Sequence, residues 1–120
     1  MKYMIMMRGS QAEMMETQSP EWIKEMFQFM TDFIDEIGKS GELVAAEGLV
    51  DGTQAKIVDY KNNAVVVTDG PFAESKESLI GFWIVDVVDE ARALELTSKV
   101  VAFIKAPVEV RQVGERPPEV

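Results

Sequence analysis

Residues Val65–Phe82 read VVVTDGPFAESKESLIGF, in which a turn separates two apolar segments. The first segment ends at Thr68, and the second begins at Leu79. Asp69-Gly70-Pro71 interrupts the strand because Gly accepts positive φ, while Pro fixes its own φ and donates no backbone hydrogen bond. The pattern predicts a rigid turn between two core strands, with charged residues at one end of a sheet.

The composition excludes several classes of protein. A chain of 120 residues predicts one domain, residues 1–120. It has 21 acidic and 12 basic residues, a net charge of -9, and no run of basic residues. Nucleic acid and anionic membranes would repel such a surface, so we expect neither as a partner.

The chain contains no histidine and no cysteine. This removes the usual general base near neutral pH, the commonest transition-metal ligand and any thiolate nucleophile. Acid–base chemistry would therefore rest on carboxylates, Lys or Tyr. We expect no cofactor and no metal; a carboxylate site for Mg²⁺ or Mn²⁺ is the weakest hypothesis. The apolar segment Tyr3–Met7 is too short for a signal peptide or a membrane span, so we expect a cytoplasmic protein.

The N-terminal third predicts a strand, a loop and a long helix. Lys2–Arg8 is apolar on both alternating sets of residues, which is typical of a strand covered on both faces. Gly9–Gln18 is polar and is predicted to be a loop. Ser19-Pro20-Glu21 has the residues of a helix start, and the helix should run to about Lys39. Its apolar arc is unusually wide, so we expect the edge carrying Trp22 and Phe29 to meet a partner subunit.

The sequence after the long helix predicts mostly strands. Asn62 and Asn63 should form the turn of a hairpin, since Asn tolerates the left-handed region. A second helix should begin near Val88 and bury Val87, Ala91, Leu94 and Val101. The predicted strands are Glu42–Val50, the hairpin strands Gln54–Tyr60 and Ala64–Thr68, then Leu79–Val87 and Val108–Val113.

This order predicts an α+β fold, a ferredoxin-like β-α-β-β-α-β arrangement with an extra hairpin strand. Two helices cover one face of such a sheet. The strands at Tyr3–Met7 and Phe82–Val85 are nevertheless apolar on both faces, and monomers rarely expose a large apolar face to water. We therefore expect a homodimer in which two sheets pack face to face.

The residues also resemble a known family. The string Thr68-Asp69-Gly70-Pro71-Phe72-Ala73-Glu74-Ser75-Lys76-Glu77 is similar to the YCII-related domain family, in its DGPF branch. Glu47-Gly48-Leu49, Gly81-Phe82 and Val108-Glu109-Val110-Arg111 extend the resemblance over nearly the whole chain. It implies a dimeric α+β barrel of ferredoxin-like units. More distant relatives have a proposed His–Asp catalytic pair, of which this chain could keep only Asp69.

Asp69 is the candidate catalytic residue, and it has two interpretations. Its carboxylate either stabilises the Gly70-Pro71 turn by hydrogen bonds or lies desolvated in a pocket and acts as a base. The candidate ligand-binding residues are those expected to converge at the same end of the sheet: Glu47, Phe72, Glu74, Lys76, Glu77 and Arg111.

Two functions fit these residues. The first is binding of a small polar or anionic metabolite beside the DGPF segment, with carboxylate acid–base chemistry as a further step. The second is a non-catalytic interaction or regulatory module whose acidic surface docks a basic or transcription-associated partner. The residues do not identify the substrate.

Overall fold

The computed structural model describes residues 1–70 and 77–114. The described residues form an α+β fold with six strands in two antiparallel sheets and three α-helices. In chain order the elements are β1 (Lys2–Arg8), α1 (Gln11–Thr17), α2 (Pro20–Lys39), β2 (Leu43–Gly48), β3 (Lys56–Lys61), β4 (Ala64–Asp69), β5 (Leu79–Asp86), α3 (Glu90–Ile104) and β6 (Glu109–Gln112).

The main sheet has four strands in the spatial order β2-β5-β1-β6, and each neighbouring pair is antiparallel. This arrangement is compatible with the expected ferredoxin-like fold. The predicted extra hairpin strand does not join the main sheet: among residues 1–70 and 77–114, β3 and β4 pair only with each other and form a separate two-stranded sheet. Their turn is as predicted: Asn62 and Asn63 have φ of 51° and 60°, the conformation that joins two strands tightly.

Helix α2 has the predicted bounds and caps. The Ser19 hydroxyl accepts a hydrogen bond from the Trp22 N–H at 3.1 Å, and Pro20 is the first helical residue. Backbone N–H groups in the first turn of a helix have no partner within the helix. The Ser19 hydroxyl accepts from one of them, and Pro20 has no N–H to satisfy. After the helix ends at Lys39, Gly41 adopts a φ of 80°, which favours glycine.

The predicted loop at Gly9–Gln18 is wrong, because most of it forms α1. The Ser10 hydroxyl accepts a hydrogen bond from the Glu13 N–H at 3.1 Å, and Met14 packs against the core. A Ser followed three residues later by Glu is a recognised helix-start pattern. The polar character of the remaining residues concealed it, since α1 is short and buries no residue fully.

The core lies between one face of the main sheet and helices α2 and α3. Alternate residues of the two central strands supply the sheet side, because successive side chains of a strand point to opposite faces. The fully or nearly fully buried members are Tyr3, Ile5, Met7, Ile80, Trp83, Val85 and Val87 on the sheet side, and Phe33, Ile37, Ala93, Leu96 and Val100 on the helices.

The expected buried face of α3 is wrong, and the Trp22 edge of α2 makes a contact that the sequence did not predict. Helix α3 buries Ala93, Leu96 and Val100, whereas the predicted Leu94 remains 47% exposed. The Trp22 edge of α2 packs within the chain: the Trp22 and Phe29 rings stack on Phe103 of α3 with centroid distances of 5.6 and 4.7 Å. Helix α3 of the same chain therefore packs on this edge, and a contact of the edge with a partner subunit stays a prediction.

The opposite face of the main sheet carries a second apolar set, which we call the helix-free face: Met4, Met6, Phe82 and Ile84. Met4 pairs with Ile84 across β1 and β5, and Met6 pairs with Phe82. Among the described residues, none of the four belongs to the core cluster formed with the helices. The Arg8 guanidinium partly covers Met6, with Nη2 3.9 Å from Sδ.

We call the two-stranded sheet, Lys56–Asp69, the arm. It is inserted between β2 and β5, two neighbouring strands of the main sheet. The radius of gyration is 16.6 Å, against about 13–14 Å for a compact chain of this length. The chain is therefore more extended than a compact domain of the same length.

Candidate functional site

A cavity of about 250 Å³ lies where α1 and α2 meet the β2–β5 side of the main sheet. Helix α2 contributes one wall, α1 closes one side, and the strands form the floor. Its lining residues are Met7, Gln11, Met14, Met26, Phe27, Met30, Ile34, Ala46, Glu47, Gly48, Ile80, Gly81, Phe82 and Trp83.

The lining is mainly apolar and rich in methionine. Met7, Met14, Met26 and Met30 all contribute, and Met is flexible enough to adapt to ligands of different shape. Phe27 also lines the cavity but is 60% exposed, which is unusual for a large aromatic residue on a helix that packs on a core. An exposed Phe beside an apolar cavity is typical of an accessible binding site.

A pair of glycines keeps the floor of the cavity open. Gly48 and Gly81 are opposite each other across β2 and β5. A Cβ on Gly81 would lie 3.2 Å from the carbonyl oxygen of Glu47, which is closer than ordinary van der Waals contact. Glycine at position 81 therefore allows the close approach of β2 and leaves the space above it free.

Two residues of the lining are polar, Gln11 and Glu47. Among the described residues Glu47 is the charged residue of the lining; it is exposed, and it pairs with Phe82 across β2 and β5. Gln11 donates a hydrogen bond through Nε2 to the Leu49 carbonyl, and its buried Oε1 has no partner among the described residues. A buried acceptor without a donor costs about 1–3 kcal/mol, so a bound N–H or O–H group would be favoured there.

The start of α1 is tied to the segment after β2. Asp51 Oδ1 accepts a hydrogen bond from the Ala12 N–H at 3.2 Å, while Oδ2 accepts from the Thr53 hydroxyl at 2.7 Å and its N–H at 3.1 Å. These bonds, the one from the Thr53 hydroxyl above all, lower the pKa of Asp51. The carboxylate thus holds the α1 wall of the cavity in place.

The candidate catalytic residue Asp69 lies on the arm. Its side chain is 84% exposed and pairs with Lys56 directly across β3 and β4. The catalytic interpretation requires the carboxylate to lie in a pocket, whereas this one is exposed and paired with a lysine. This placement favours a structural role for Asp69 over a catalytic one.

The structure separates the other predicted site residues. Glu47 lines the cavity at the edge strand β2, whereas Arg111 lies on the opposite edge strand β6 and pairs with Glu109 at 2.5 Å. The contact recorded for Glu77 is made by its backbone: the carbonyl oxygen accepts a hydrogen bond from Arg8 Nη1 at 3.3 Å. The candidates Phe72, Glu74 and Lys76 lie outside the described residues.

Sequence reasoning missed most of the cavity. Gln11 and Met14 were assigned to a loop, and the Ser10–Glu13 spacing was the signal that could have placed them on a helix. Within residues 1–70 and 77–114, no three acidic side chains are close enough together to hold a metal ion. No helix in the same ranges is both long and apolar enough to cross a membrane.

The comparisons with known proteins agree with the resemblance seen in the residues. The model of the YCII-related domain matches residues 1–115. An uncharacterized protein of Rhizobium meliloti (strain 1021) is 37% identical over 57 residues, which are 48% of this chain and 46% of that protein. The chain thus spans about half the length of this relative. The DGPF branch stays a prediction, whereas the match over residues 1–115 shows that the chain belongs to the YCII-related domain family.

Proposed function

We propose that this protein binds a small molecule with an apolar body and a cationic or N–H donor group in the cavity beside Glu47. The observation that carries the proposal is the lining: methionine and aromatic residues surround about 250 Å³, and the exposed residue Glu47 is among the lining residues. That volume is near the lower end of the roughly 300–1,000 Å³ typical of ligand pockets.

The chemistry of the lining determines the ligand class. Burying apolar ligand surface against Met30, Phe27 and Trp83 contributes about 25 cal/mol for each Å² removed from water. Glu47 attracts a positive charge and repels a negative one, and Gln11 Oε1 is an acceptor. The anionic metabolite expected from the sequence fits this lining less well than a cation does.

Thermal unfolding with matched ligand pairs tests the proposal. Phenethylamine and hexylamine should raise the melting temperature more than 3-phenylpropionate and hexanoate, because each pair differs mainly in the sign of its charge. Glu47→Gln should remove the preference for amines, while Glu25→Gln, an exposed change outside the cavity, should keep it. Phe27→Ser should weaken binding of every ligand in the panel.

The outcomes separate the proposal from a non-catalytic interaction module. An interaction module predicts no shift with any ligand of the panel, together with salt-dependent binding to a basic protein. Equal shifts for amines and carboxylates would contradict the role given to Glu47.

We also propose that two copies pair through the helix-free face. The cross-strand pairs Met4–Ile84 and Met6–Phe82 support it, because they give the central strands an apolar side that the helices do not cover. Face-to-face packing of two such sheets is a common way to bury this surface. Light scattering at micromolar concentration should give the mass of two chains, and Ile84→Lys should give the mass of one. A cytoplasmic location remains a prediction of the sequence.

A further inference from the structure

The arm has one face that is apolar except for the charged Lys56–Asp69 pair at one end. Val58 pairs with Val67 across β3 and β4, and Tyr60 pairs with Val65, so all four side chains lie on the same side. We call this set the arm face. Its members are between 62% and 69% exposed. The other side of the arm is mixed, with Asp59 opposite Val66 and Ile57 opposite Thr68.

Such an arm is not expected to be stable by itself. A two-stranded sheet is marginal in water unless another element covers its apolar face. Both of its edges also lack a neighbouring strand in the described chain, and open edges with apolar side chains favour association. The arm face therefore needs an occupant from outside the described chain.

We propose that the arm face packs on a second copy of this chain, over the helix-free face of that copy's main sheet. The inference rests on the proposed homodimer and adds a residue-level contact to it. Each copy would supply one arm and one sheet face, so a two-fold pair satisfies both surfaces at once.

The sizes of the two surfaces support this occupant. Two strands of six residues cover about 20 by 10 Å, or about 200 Å². The helix-free face of the four-stranded sheet measures about 20 by 25 Å, or about 500 Å². The arm face and the helix-free face of one chain together therefore measure roughly 700 Å². Stable interfaces bury about 800 Å² per partner, which the arm alone does not approach.

Charge supports the same occupant. The arm face carries no charge between its ends, and the Lys56–Asp69 pair at one end compensates itself. Two chains that each carry -9 repel each other, so their contact must be formed by uncharged surfaces. A strongly basic partner would gain nothing from the arm face.

Two adjacent residues of β4 give a matched test by sedimentation equilibrium. Val67→Lys places a charge on the arm face, whereas Thr68→Lys places the same charge on the other side. Val67→Lys should raise the dimer dissociation constant by at least about tenfold, and Thr68→Lys should change it by less than about twofold. Far-ultraviolet circular dichroism of both variants checks that they fold alike.

Cysteine labelling provides a second measurement that needs no charged variant. The natural chain has no cysteine, so Val58→Cys and Asp59→Cys each create a single thiol on opposite sides of the arm. A maleimide should label Val58→Cys at least about tenfold more slowly at concentrations where the protein is dimeric than after dilution to monomer. Asp59→Cys should react at a similar rate in both conditions.

The outcomes distinguish this inference from the homodimer proposal. A dimer that Ile84→Lys dissociates but Val67→Lys does not, with Val58→Cys labelled equally at both concentrations, would overturn the arm contact alone. A wild-type chain that stays monomeric at all concentrations would overturn both.

Discussion

The Arg92 guanidinium holds the Glu42 carboxylate with two parallel hydrogen bonds. Nε donates to Oε2 at 2.9 Å, and Nη2 donates to Oε1 at 2.8 Å. Glu42 directly precedes β2, and Arg92 lies in the first turn of α3, so the pair fixes this helix to the edge of the sheet that carries the cavity. The side chains are only 25% and 16% exposed for Arg92 and Glu42, which limits screening by water.

This pair makes stability depend on pH. Hydrogen bonding by Arg92 lowers the pKa of Glu42 from 4.5 to about 2, although burial opposes the change and a bond from Ser40 supports it. The folded state therefore gains stability above the ordinary pKa and loses it as the pH falls from 4.5 to about 2. Glu42→Gln should cost about 1–3 kcal/mol at pH 7 and flatten the curve in that interval, measured by urea unfolding at several pH values.

Glu95→Gln is the control for that experiment. Glu95 also pairs with Arg92, at 2.7 Å, but its side chain is 62% exposed. Its loss should cost less than about 1 kcal/mol, because exposed pairs are weak. Equal effects of the two variants at pH 7 would contradict the importance of the Glu42 pair.

The buried face of α3 can be tested with two leucines. Leu96 is fully buried in the core, whereas Leu94 is 47% exposed. Leu96→Ala should lower the free energy of unfolding by about 2–5 kcal/mol, since it removes contacts and leaves a cavity. Leu94→Ala should cost less than about 1 kcal/mol in the same denaturant titration. A larger loss of unfolding free energy for Leu94→Ala than for Leu96→Ala would mean that α3 buries the face predicted from the sequence.

The end of α3 offers a stabilising change. Lys105 caps the helix with a φ of 55°, a conformation that costs a residue with a Cβ about 1–2 kcal/mol. Lys105→Gly should therefore raise the free energy of unfolding by up to about 1 kcal/mol, after the greater chain entropy of glycine is subtracted. The same type of change within the helix, Ala102→Gly, should lower it by about 1 kcal/mol. Thermal unfolding of both variants should give melting temperatures that move in opposite directions.

The glycine pair of the cavity floor gives a fourth prediction. Gly81→Ala places a Cβ 3.2 Å from the Glu47 carbonyl oxygen, so β2 must move slightly away from β5. We expect a loss of about 1–3 kcal/mol in the free energy of unfolding and weaker amine binding. Gly48→Ala meets no atom within 4 Å of its Cβ, and it should keep the stability within about 0.5 kcal/mol. Isothermal calorimetry with phenethylamine measures the binding part, and unchanged affinity in Gly81→Ala would contradict the place given to the cavity.

Some elements were predictable because their signals are local. The start of α2 follows from Ser19 and Pro20, whose effects on a helix depend only on their immediate neighbours. The arm's turn follows from Asn62 and Asn63 for the same reason. In contrast, α1 was missed because its short capped turn is stable only where Met14 reaches the core.

The candidate site was predictable only in part. Glu47 was identified and lines the cavity, but it was expected beside Asp69 and Arg111. Strand order separates these residues, since β2 and β6 are opposite edges of the main sheet and Asp69 belongs to a different sheet. No local pattern specifies which strands become neighbours, because pairing depends on contacts between segments far apart in the chain.

The amino-acid sequence by itself determined the alternation of apolar residues, the caps and the turns, and with them most of the α+β elements. Only the tertiary structure decided which face of α3 is buried, that Trp22 stacks on Phe103, and that α1, α2 and β2 enclose a cavity. The physical reason is that backbone preferences act over a few residues, whereas burial is shared among all segments that compete for the same core.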